Sequence, residues 1–157
     1  MVRRFIIVSV IVLMITGCST SLVKYEDSNP VPSERIYKPY VQYSEATKSS
    51  ATLIVVRDSG ILGGAGSAAL FVNGEIVARL KLSESLVLHI PAGDNVIGAG
   101  PGTKLNWESD TVGLEEQTLL AVEGEEYFYR LSVDPYSGLV LNRSTQLSKE
   151  KLELDSN

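Results

Sequence analysis

Short apolar runs ended by turn residues recur about every ten residues between positions 51 and 143, and this spacing restricts the folds open to the chain. ATLIVVRD (51–58) is a continuous β-branched run, which is typical of a strand buried on both faces. AALFVNGEIVARL (68–80) contains two runs joined by Asn73-Gly74. Asn-Gly is the preferred pair for a type I′ turn, in which both central residues need positive φ. The second pattern therefore predicts a β-hairpin.

Two later segments repeat this arrangement, and a third is a single run. SLVLHIPAGDNVIGA (85–99) and TLLAVEGEEYFYRLSV (118–133) each contain a run, a glycine-containing turn and a return, and LVLNR (139–143) is typical of a last strand. Parallel strands would need crossover helices, and no convincing helical period lies between the runs. The sequence predicts a mainly β fold, an antiparallel β-sandwich of about 6–8 short strands.

Composition fits one folded domain and excludes several classes of function. The chain has 157 residues, of which 44% are hydrophobic and 21% charged, so it can bury a core. A formal net charge of -5, with no cluster of Lys and Arg, argues against binding nucleic acid. One Cys and one His cannot form an internal disulfide or a zinc site.

The N-terminus has the three parts of a secretory signal. Arg3 and Arg4 form a positive region, residues 5–15 are apolar, and small residues precede Cys18. A transmembrane helix needs about 20 apolar residues. The apolar part has 11 residues and Ser9 interrupts it, so a membrane span is the weaker interpretation.

Ile15, Thr16, Gly17 and Cys18 resemble the lipobox of bacterial lipoproteins. The resemblance implies a diacylglyceryl group on the Cys18 sulfur, cleavage before Cys18 and acylation of the new amine, for example with palmitate. Two or three acyl chains hold a protein stably on a membrane, whereas a single myristoyl chain gives only marginal binding. Ser19 resembles the residue that sends lipoproteins to the outer membrane. The alternative is an ordinary signal peptide, cleaved or uncleaved, with Cys18 as a bystander.

These features predict three parts: a lipoprotein signal peptide over 1–17, a lipidated cysteine and flexible tether over 18–44, and a β-sandwich domain over 45–157. The tether is predicted because residues 19–36 mix Ser, Pro, Asn and charges without a period. Loss of Arg3 and Arg4 with the leader makes the mature formal charge -7.

The strand and turn motifs carry a second resemblance. IVVR (54–57), VNGE (72–75), IPAG (90–93) and GEEYFYR (124–130) together resemble a family of small bacterial envelope domains of unknown function, which often follow a lipobox and are similar in architecture to transthyretin-like sandwiches. The resemblance covers about residues 51–147 and implies a fold, not catalysis. The chain departs from it in a long loop predicted over 98–116.

Two glycine-rich segments lack the geometry of phosphate loops. In SGILGGAGSA (59–68) Gly66 leads into a strand, and in GAGPGTK (98–104) the order of Thr103 and Lys104 is reversed and no helix follows. The sequence therefore predicts β-connections and no nucleotide.

His89 is the one side chain with an ordinary pKa near neutrality. In LVLHIP the alternation places Leu86, Leu88 and Ile90 in the core and His89 on the opposite face with Val87. A half-exposed strand residue is the expectation, and a catalytic or ligand role is the alternative. No G-x-S-x-G elbow is present, which disfavours a hydrolase.

Carboxylates cluster at Glu115-Glu116 and among residues 123–126. Their order is not that of an EF-hand, so we expect no metal and no cofactor apart from the lipid. A glycosidase pair is the alternative, because two carboxylates can meet across a fold.

Aromatic residues supply the candidate partner contacts. In YFYRLSV (127–133) the pleat sends Tyr127 and Tyr129 to one face and Phe128 and Arg130 to the other. Phe128, Arg130 and Trp107, which lies in the long loop, are candidate contacts with a partner. The alternative is that Phe128 and Trp107 cover the ends of the sandwich.

The sequence favours a lipid-anchored cell-envelope protein that faces the periplasm and acts as a non-catalytic binding or structural module. Cys18 would contact membrane lipid, and the 98–116 loop an envelope protein or the cell wall. An inhibitor or immunity-type lipoprotein is one alternative, and a cell-wall hydrolase using His89 with Asp and Glu is another.

Overall fold

The computed structural model describes residues 20–60, 66–102, 113–134 and 136–144. The predicted leader, Cys18, Trp107 and the C-terminal residues 145–157 lie outside these ranges. Within them the chain forms nine strands: β1 (Asn29–Pro30), β2 (Ser50–Arg57), β3 (Ala68–Val72), β4 (Glu75–Leu80), β5 (Glu84–Pro91), β6 (Gly93–Pro101), β7 (Glu115–Ala121), β8 (Glu126–Asp134) and β9 (Gly138–Ser144). The helical segments in these ranges are three short 3₁₀ helices, Tyr25–Asp27, Ser33–Arg35 and Lys38–Tyr43.

The nine strands form two sheets. One has five strands in the order β1-β5-β2-β8-β9, and the other has four in the order β4-β3-β6-β7. One continuous core lies between them and draws apolar residues from both, among them Leu53, Leu70, Leu88, Ile97 and Leu131. This arrangement confirms the predicted mainly β sandwich. In the described ranges, no helix is both long and apolar enough to span a bilayer.

Strand β2 is buried on both faces, as its unbroken β-branched run predicts. Leu53 and Val55 belong to the core between the sheets. Ile54 and Val56 point to the outer face of the five-stranded sheet, where a second apolar cluster surrounds them. Because both faces of the strand contact apolar residues, its side chains do not need to alternate between apolar and polar, which explains the continuous apolar run.

The predicted hairpin over 68–80 is confirmed. Strands β3 and β4 pair antiparallel, and Asn73 and Gly74 join them with φ values of 51° and 81°. These positive values at both central residues are those of a type I′ turn. Local sequence therefore determines this turn.

Two other turns pass between the sheets instead of closing hairpins. Strand β5 lies in the five-stranded sheet and β6 in the four-stranded one, and the same change of sheet separates β7 from β8. The expectation that each return strand pairs with the preceding strand was wrong. Asn95 holds the first crossover, because its buried side-chain amide donates to the carbonyls of Pro91 (2.8 Å) and Gly93 (3.1 Å).

Two strand pairs are parallel, although the sequence favoured antiparallel pairing throughout. Strand β1 pairs parallel with β5, and β2 with β8. No crossover helix is needed between β2 and β8, because the intervening chain includes β5 and the whole four-stranded sheet. The excursion through the second layer replaces the helix of a βαβ unit.

The described part of the predicted tether is packed against the sandwich. We call residues 20–44 the strap. Val23, Val31 and Tyr43 are buried, β1 pairs with β5, and Ile36 forms an isolated bridge with Ala78 of β4. The strap therefore runs along the β5/β4 side of both sheets. Its contacts are single side chains and short bridges, so its sequence has no period to reveal them.

The loop predicted over 98–116 is shorter than expected, because β6 continues to Pro101 and β7 begins at Glu115. Its central residues 103–112, including Trp107, lie outside the described ranges.

Gly98 and Gly100 of β6 lie against the side chain of Phe71, and their lack of a side chain leaves room for it. A Cβ at Gly98 would lie 3.3 Å from the Phe71 Cβ, and one at Gly100 would lie 3.6 Å from the Phe71 ring.

Side chains close the β7/β9 side of the sandwich. Glu115 accepts the Leu141 N–H through Oε2 (3.0 Å), and the Gln117 amide donates to the Leu141 carbonyl. The Tyr127 hydroxyl accepts the Val122 N–H at 3.0 Å. The two bonds to Leu141 occupy main-chain groups that the edge strand β9 would otherwise offer to another chain.

Different elements reach the two ends of the sandwich. At the Ser59 end, β2 stops, β8 and β9 turn, and β6 leaves toward residues 103–112. At the Asn73 end lie the β3–β4 turn and the two crossovers between the sheets.

Candidate functional site

The outer face of the five-stranded sheet carries three rows of side chains across β5, β2 and β8. The pairing register places neighbouring residues side by side on one face. From the Asn73 end to the Ser59 end the rows are His89, Thr52 and Glu126, then Val87, Ile54 and Phe128, then Ser85, Val56 and Arg130. This face contains His89 and both described candidate partner contacts.

Phe128 lies in the middle row, and its packing is intramolecular. Phe128 and Val87 pack, half-buried, against the cluster formed by Ile54, Val56 and Val23. Val23 belongs to the strap, so the start of the strap covers the apolar part of this face. Phe128 therefore packs into an intramolecular cluster to which the strap contributes Val23.

Asp58 and Arg130 form an ion pair at the Ser59 end of this face. The Asp58 side chain has no exposed surface, and that of Arg130 is 28% exposed. Arg130 donates through Nη2 to Asp58 Oδ2 and through Nε to Oδ1 at 3.3 Å. Asp58 Oδ1 also accepts the Val23 N–H at 3.2 Å. Arg130, a predicted partner contact, thus holds the carboxylate that binds the strap.

The strap begins with a second attachment next to the first. The Ser21 N–H donates to the Ser59 carbonyl at 2.7 Å, and the Ser59 N–H donates to the Ser21 carbonyl at 3.0 Å. We call Ser21, Val23, Asp58, Ser59 and Arg130 the clamp. It fixes the start of the described chain at the Ser59 end of the sandwich, three residues after Cys18.

A separate ion pair fixes the middle of the strap. Both terminal nitrogens of Arg35 donate to the Glu84 carboxylate, and Glu84 also accepts the Lys81 N–H at 2.7 Å. Burial disfavours the charged form of Glu84, but the bonds from Arg35 and Lys81 outweigh it and hold the pKa of Glu84 below its ordinary value. The bond to Glu84 raises the pKa of Arg35. Both groups are therefore charged near neutral pH.

Arg57 ties the strand ends together behind this pair. Its buried guanidinium donates through Nη1 to the Gly66 carbonyl at 2.8 Å and to the Leu80 carbonyl at 2.6 Å. Burial lowers the pKa of Arg57, and the charge of Glu84 acts in the opposite direction. Arg57 is therefore occupied as a donor to main-chain carbonyls inside the protein.

His89 lies where the alternation predicted, on the outer face and half-buried, while Leu86, Leu88 and Ile90 are in the core. Its Nδ1 lies 3.4 Å from the Thr52 hydroxyl oxygen. The next side chain in that row is the exposed Glu126. His89 thus has a hydroxyl neighbour on an open sheet face.

The predicted carboxylate clusters separate in the structure. Glu115 is bound to the Leu141 N–H, whereas Glu116 is exposed. Glu123, Glu125 and Glu126 are exposed around a crossover at the Asn73 end. Among residues 20–60, 66–102, 113–134 and 136–144, no group of three or more His, Cys, Asp or Glu could hold a metal ion.

An exposed apolar patch lies on the outer face of β6 and β7, toward the Asn73 end. Its members are Val96, Leu120 and Val122, of which Leu120 is 66% exposed. Asp94 lies directly across from Leu120 in the register and is also exposed. We call these three apolar residues the β6–β7 patch. It combines apolar contact area with acidic neighbours.

Sequence reasoning missed the clamp because its residues come from three distant parts of the chain. The one local signal is Asp58, a charged residue placed directly after a buried strand. The lipobox residues 15–18 and Trp107 lie outside the described ranges, so those predictions remain predictions.

Comparison with protein-family models gives no match for this sequence, and a search of curated proteins finds no relative. The function must therefore be inferred from the chain's own residues.

Proposed function

We propose that the protein is a lipid-anchored module of the bacterial cell envelope that binds or braces a partner without catalysis. The observation that carries the proposal is the clamp. It fixes Ser21 to Ser59, so the folded domain starts three residues after Cys18, the residue that resembles a lipidation site. This short distance in sequence suits a covalent lipid anchor at Cys18, because the folded domain would then begin almost immediately after the lipidated residue.

Fractionation of cells that produce the full chain tests the anchor. Wild-type protein is expected in the membrane fraction, most of it in the outer membrane if Ser19 acts as a sorting residue. Cys18→Ser removes the sulfur that accepts the diacylglyceryl group. Ser19→Ala is the matched control and should stay on the membrane. A Cys18→Ser protein that reaches the outer membrane as the wild type does, or a wild-type protein whose mass shows no acyl chain, would overturn the proposal.

The non-catalytic part of the proposal is supported by the surroundings of His89. A general base works within hydrogen-bond reach of a substrate that is held in a pocket. His89 lies on an open sheet face beside Thr52, and Glu126 is the one carboxylate in its row. His89→Ala should leave the release of soluble fragments from cell-wall material unchanged. A histidine-dependent release of such fragments would favour the hydrolase alternative.

The β6–β7 patch is the best-supported surface for a partner. It lies toward the Asn73 end, away from the clamp, and so away from the proposed anchor. Exposed apolar side chains next to carboxylates suit a protein that has an apolar contact surrounded by basic residues. The expected partner is therefore an envelope protein with a basic surface.

A capture experiment with the lipidated full chain on vesicles tests this surface. The bait is exposed to detergent-free periplasmic extract at low and high salt. A partner that uses the patch should be lost with Leu120→Ser, weakened by Glu123→Lys and weakened by salt, and kept by the control Glu26→Lys, which alters an exposed strap residue. If the captured partner is retained equally by the Leu120→Ser variant and at high salt, the β6–β7 patch is not its binding surface.

The acidic Asn73 end also supports a second candidate, an inhibitor or immunity-type lipoprotein. Glu75, Asp94, Glu123 and Glu125 are all exposed there. Such a surface can block the active site of a cationic enzyme, and its association rate should fall steeply with ionic strength. If the captured partner is an enzyme and loses activity when the protein is added, the protein is an inhibitor. If the partner binds without losing activity, the non-catalytic binding module remains the proposed function.

A further inference from the structure

We infer that the Ser59 end of the sandwich lies directly on the lipid surface, so that the domain stands on the membrane in one orientation with the Asn73 end outward. The inference rests on the proposed lipidation of Cys18 and adds to it a defined contact with lipid. Four features of the described residues support it: the position of the clamp, the exposed aromatic hairpin beside it, the exposed side chain of Leu22, and the distribution of charge.

The clamp limits how far the domain can stand from its anchor. An extended chain spans at most about 3.6 Å per residue, so three residue steps from Cys18 to Ser21 reach about 11 Å. A cysteine that carries acyl chains lies at the headgroup level, and each headgroup layer is about 5–7 Å thick. The Ser59 end is therefore held within contact distance of the headgroups.

The β8–β9 hairpin projects at this same end. The Asp58 N–H donates to the Leu131 carbonyl at 2.9 Å, and β8 continues beyond this point to Asp134. Asp134 Oδ1 accepts the N–H groups of Tyr136 and Ser137, each at 2.9 Å, which fixes the turn. Tyr136 is 98% exposed at its tip. Tyrosine is enriched at membrane interfaces, where its ring meets apolar chains and its hydroxyl meets water.

The strap adds a second apolar contact at this end. Leu22 lies between the two attachment points Ser21 and Val23 and is 51% exposed. Because its neighbours are bound to the sandwich, Leu22 cannot turn inward without breaking the clamp. A half-exposed leucine fixed next to an anchor is suited to the headgroup boundary.

Charge favours the same orientation. The exposed acidic residues of both crossovers and of the β3–β4 turn, Glu75, Asp94, Glu123 and Glu125, lie at the Asn73 end. The Ser59 end also has acidic residues, Glu26, Asp27 and Asp134, but the exposed Lys24 and Lys81 lie near Glu26 and Asp27 and offset part of their charge. Bacterial membranes contain anionic lipids, which repel carboxylates within a Debye length of about 8–10 Å. An orientation with the Ser59 end on the membrane carries these carboxylates away from the anionic surface.

Site-specific quenching tests the orientation. The lipidated full chain is reconstituted in vesicles of phosphatidylethanolamine and phosphatidylglycerol, and a fluorophore is attached through Tyr136→Cys or, as the matched control, Glu123→Cys. Because Cys18 is the single native cysteine and is blocked when lipidated, one label per chain is expected. Lipids with a headgroup quencher should quench the label at position 136 several-fold more than the label at position 123.

The outcomes separate the two proposals. Two labels per chain, or an intact mass without acyl chains, would show that lipidation of Cys18 fails. One label per chain with equal quenching at both positions, or stronger quenching at position 123, would overturn the orientation while leaving the anchor intact.

A linker variant provides the second test. Insertion of a ten-residue Gly-Ser segment between Ser19 and Thr20 leaves the clamp and the acyl chains in place and lengthens the reach of the anchor. Quenching at position 136 is then expected to fall several-fold while membrane binding is retained. Unchanged quenching would show that contact at the Ser59 end does not depend on the short link, and the reach argument would be wrong.

Discussion

Ser21 and Ser59 exchange two main-chain hydrogen bonds, with N···O distances of 2.7 and 3.0 Å. The two residues are 38 positions apart in the chain and join the start of the strap to the end of β2. Together with Asp58 and Val23 they place the beginning of the described chain at a fixed point of the sandwich. The proposed anchor, the orientation on the membrane and the outward-facing β6–β7 patch all depend on this attachment.

The clamp should depend strongly on the pair of Asp58 and Arg130. Asp58→Ala removes a fully buried carboxylate. Arg130 and the Val23 N–H then lose their shared hydrogen-bond acceptor. Breaking a buried ion pair costs about 3–5 kcal/mol, and the partial exposure of Arg130 reduces this to about 2–4 kcal/mol. Urea unfolding of the chain without its leader measures the loss.

A double-mutant cycle with Arg130→Met provides the control for the Asp58 prediction. The two effects should be coupled by about 1 kcal/mol or more, because both residues act through one contact. Additive effects would show that Asp58 acts alone through the Val23 N–H.

The ion pair of Glu84 and Arg35 should make stability depend on pH. The pKa of Glu84 is lower in the folded protein than in the unfolded chain, so the stabilisation is fully present above the unfolded value of about 4.3. It is lost as the pH falls through the folded pKa. The difference in unfolding free energy between wild type and Glu84→Gln should therefore be largest near neutral pH and shrink under acid conditions. A difference independent of pH would contradict the charge of Glu84 as its source.

A side chain at Gly74 should destabilise the protein because of the backbone conformation and not because of steric contact. A Cβ at Gly74 would meet no atom within 4 Å, but φ is +81°, where L residues are strained. Gly74→Ala should cost about 1–2 kcal/mol of unfolding free energy. Gly66→Ala is the matched control, because Gly66 also has open space and its φ is outside the strained region. Equal effects of the two substitutions in thermal unfolding would contradict the type I′ turn.

Glu115 and the adjacent Glu116 should differ, although the sequence treats them as one acidic pair. Glu115→Ala leaves the Leu141 N–H without its partner and should cost about 1–2 kcal/mol. Glu116 is exposed, and Glu116→Ala should change stability by less than about 0.5 kcal/mol. Denaturant unfolding of both variants checks the prediction, and the reverse order would show that the β7/β9 side closes differently.

Local patterns predicted those parts of the fold that depend on neighbouring residues. The β-branched run of β2, the Asn73-Gly74 turn and the outward position of His89 each follow from alternation or turn chemistry within a few residues. Whether the strand after a turn pairs or crosses to the other sheet depends on distant contacts. Buried Asn95, which holds the crossover, looks from sequence like an ordinary turn residue.

The strap and the clamp could not be predicted for a related reason. The strap is fixed by a few separate contacts, such as Val23 on the outer cluster and Arg35 on Glu84, and not by a repeating pattern. Its prolines and serines resemble a linker in composition. The pleat predicts Phe128 and Arg130 as candidate contacts. In the structure Phe128 packs against the outer-face cluster, and Arg130 donates to Asp58, the carboxylate that accepts the Val23 N–H.

Mass spectrometry of the N-terminal peptide, taken from protein purified out of the membrane fraction, tests the central claim most directly. The proposal predicts a peptide that begins at Cys18 and carries a diacylglyceryl group on sulfur and an acyl chain on the amine. A peptide that retains Met1, or one in which Cys18 has a free thiol, would contradict the lipid anchor and the membrane orientation that depends on it.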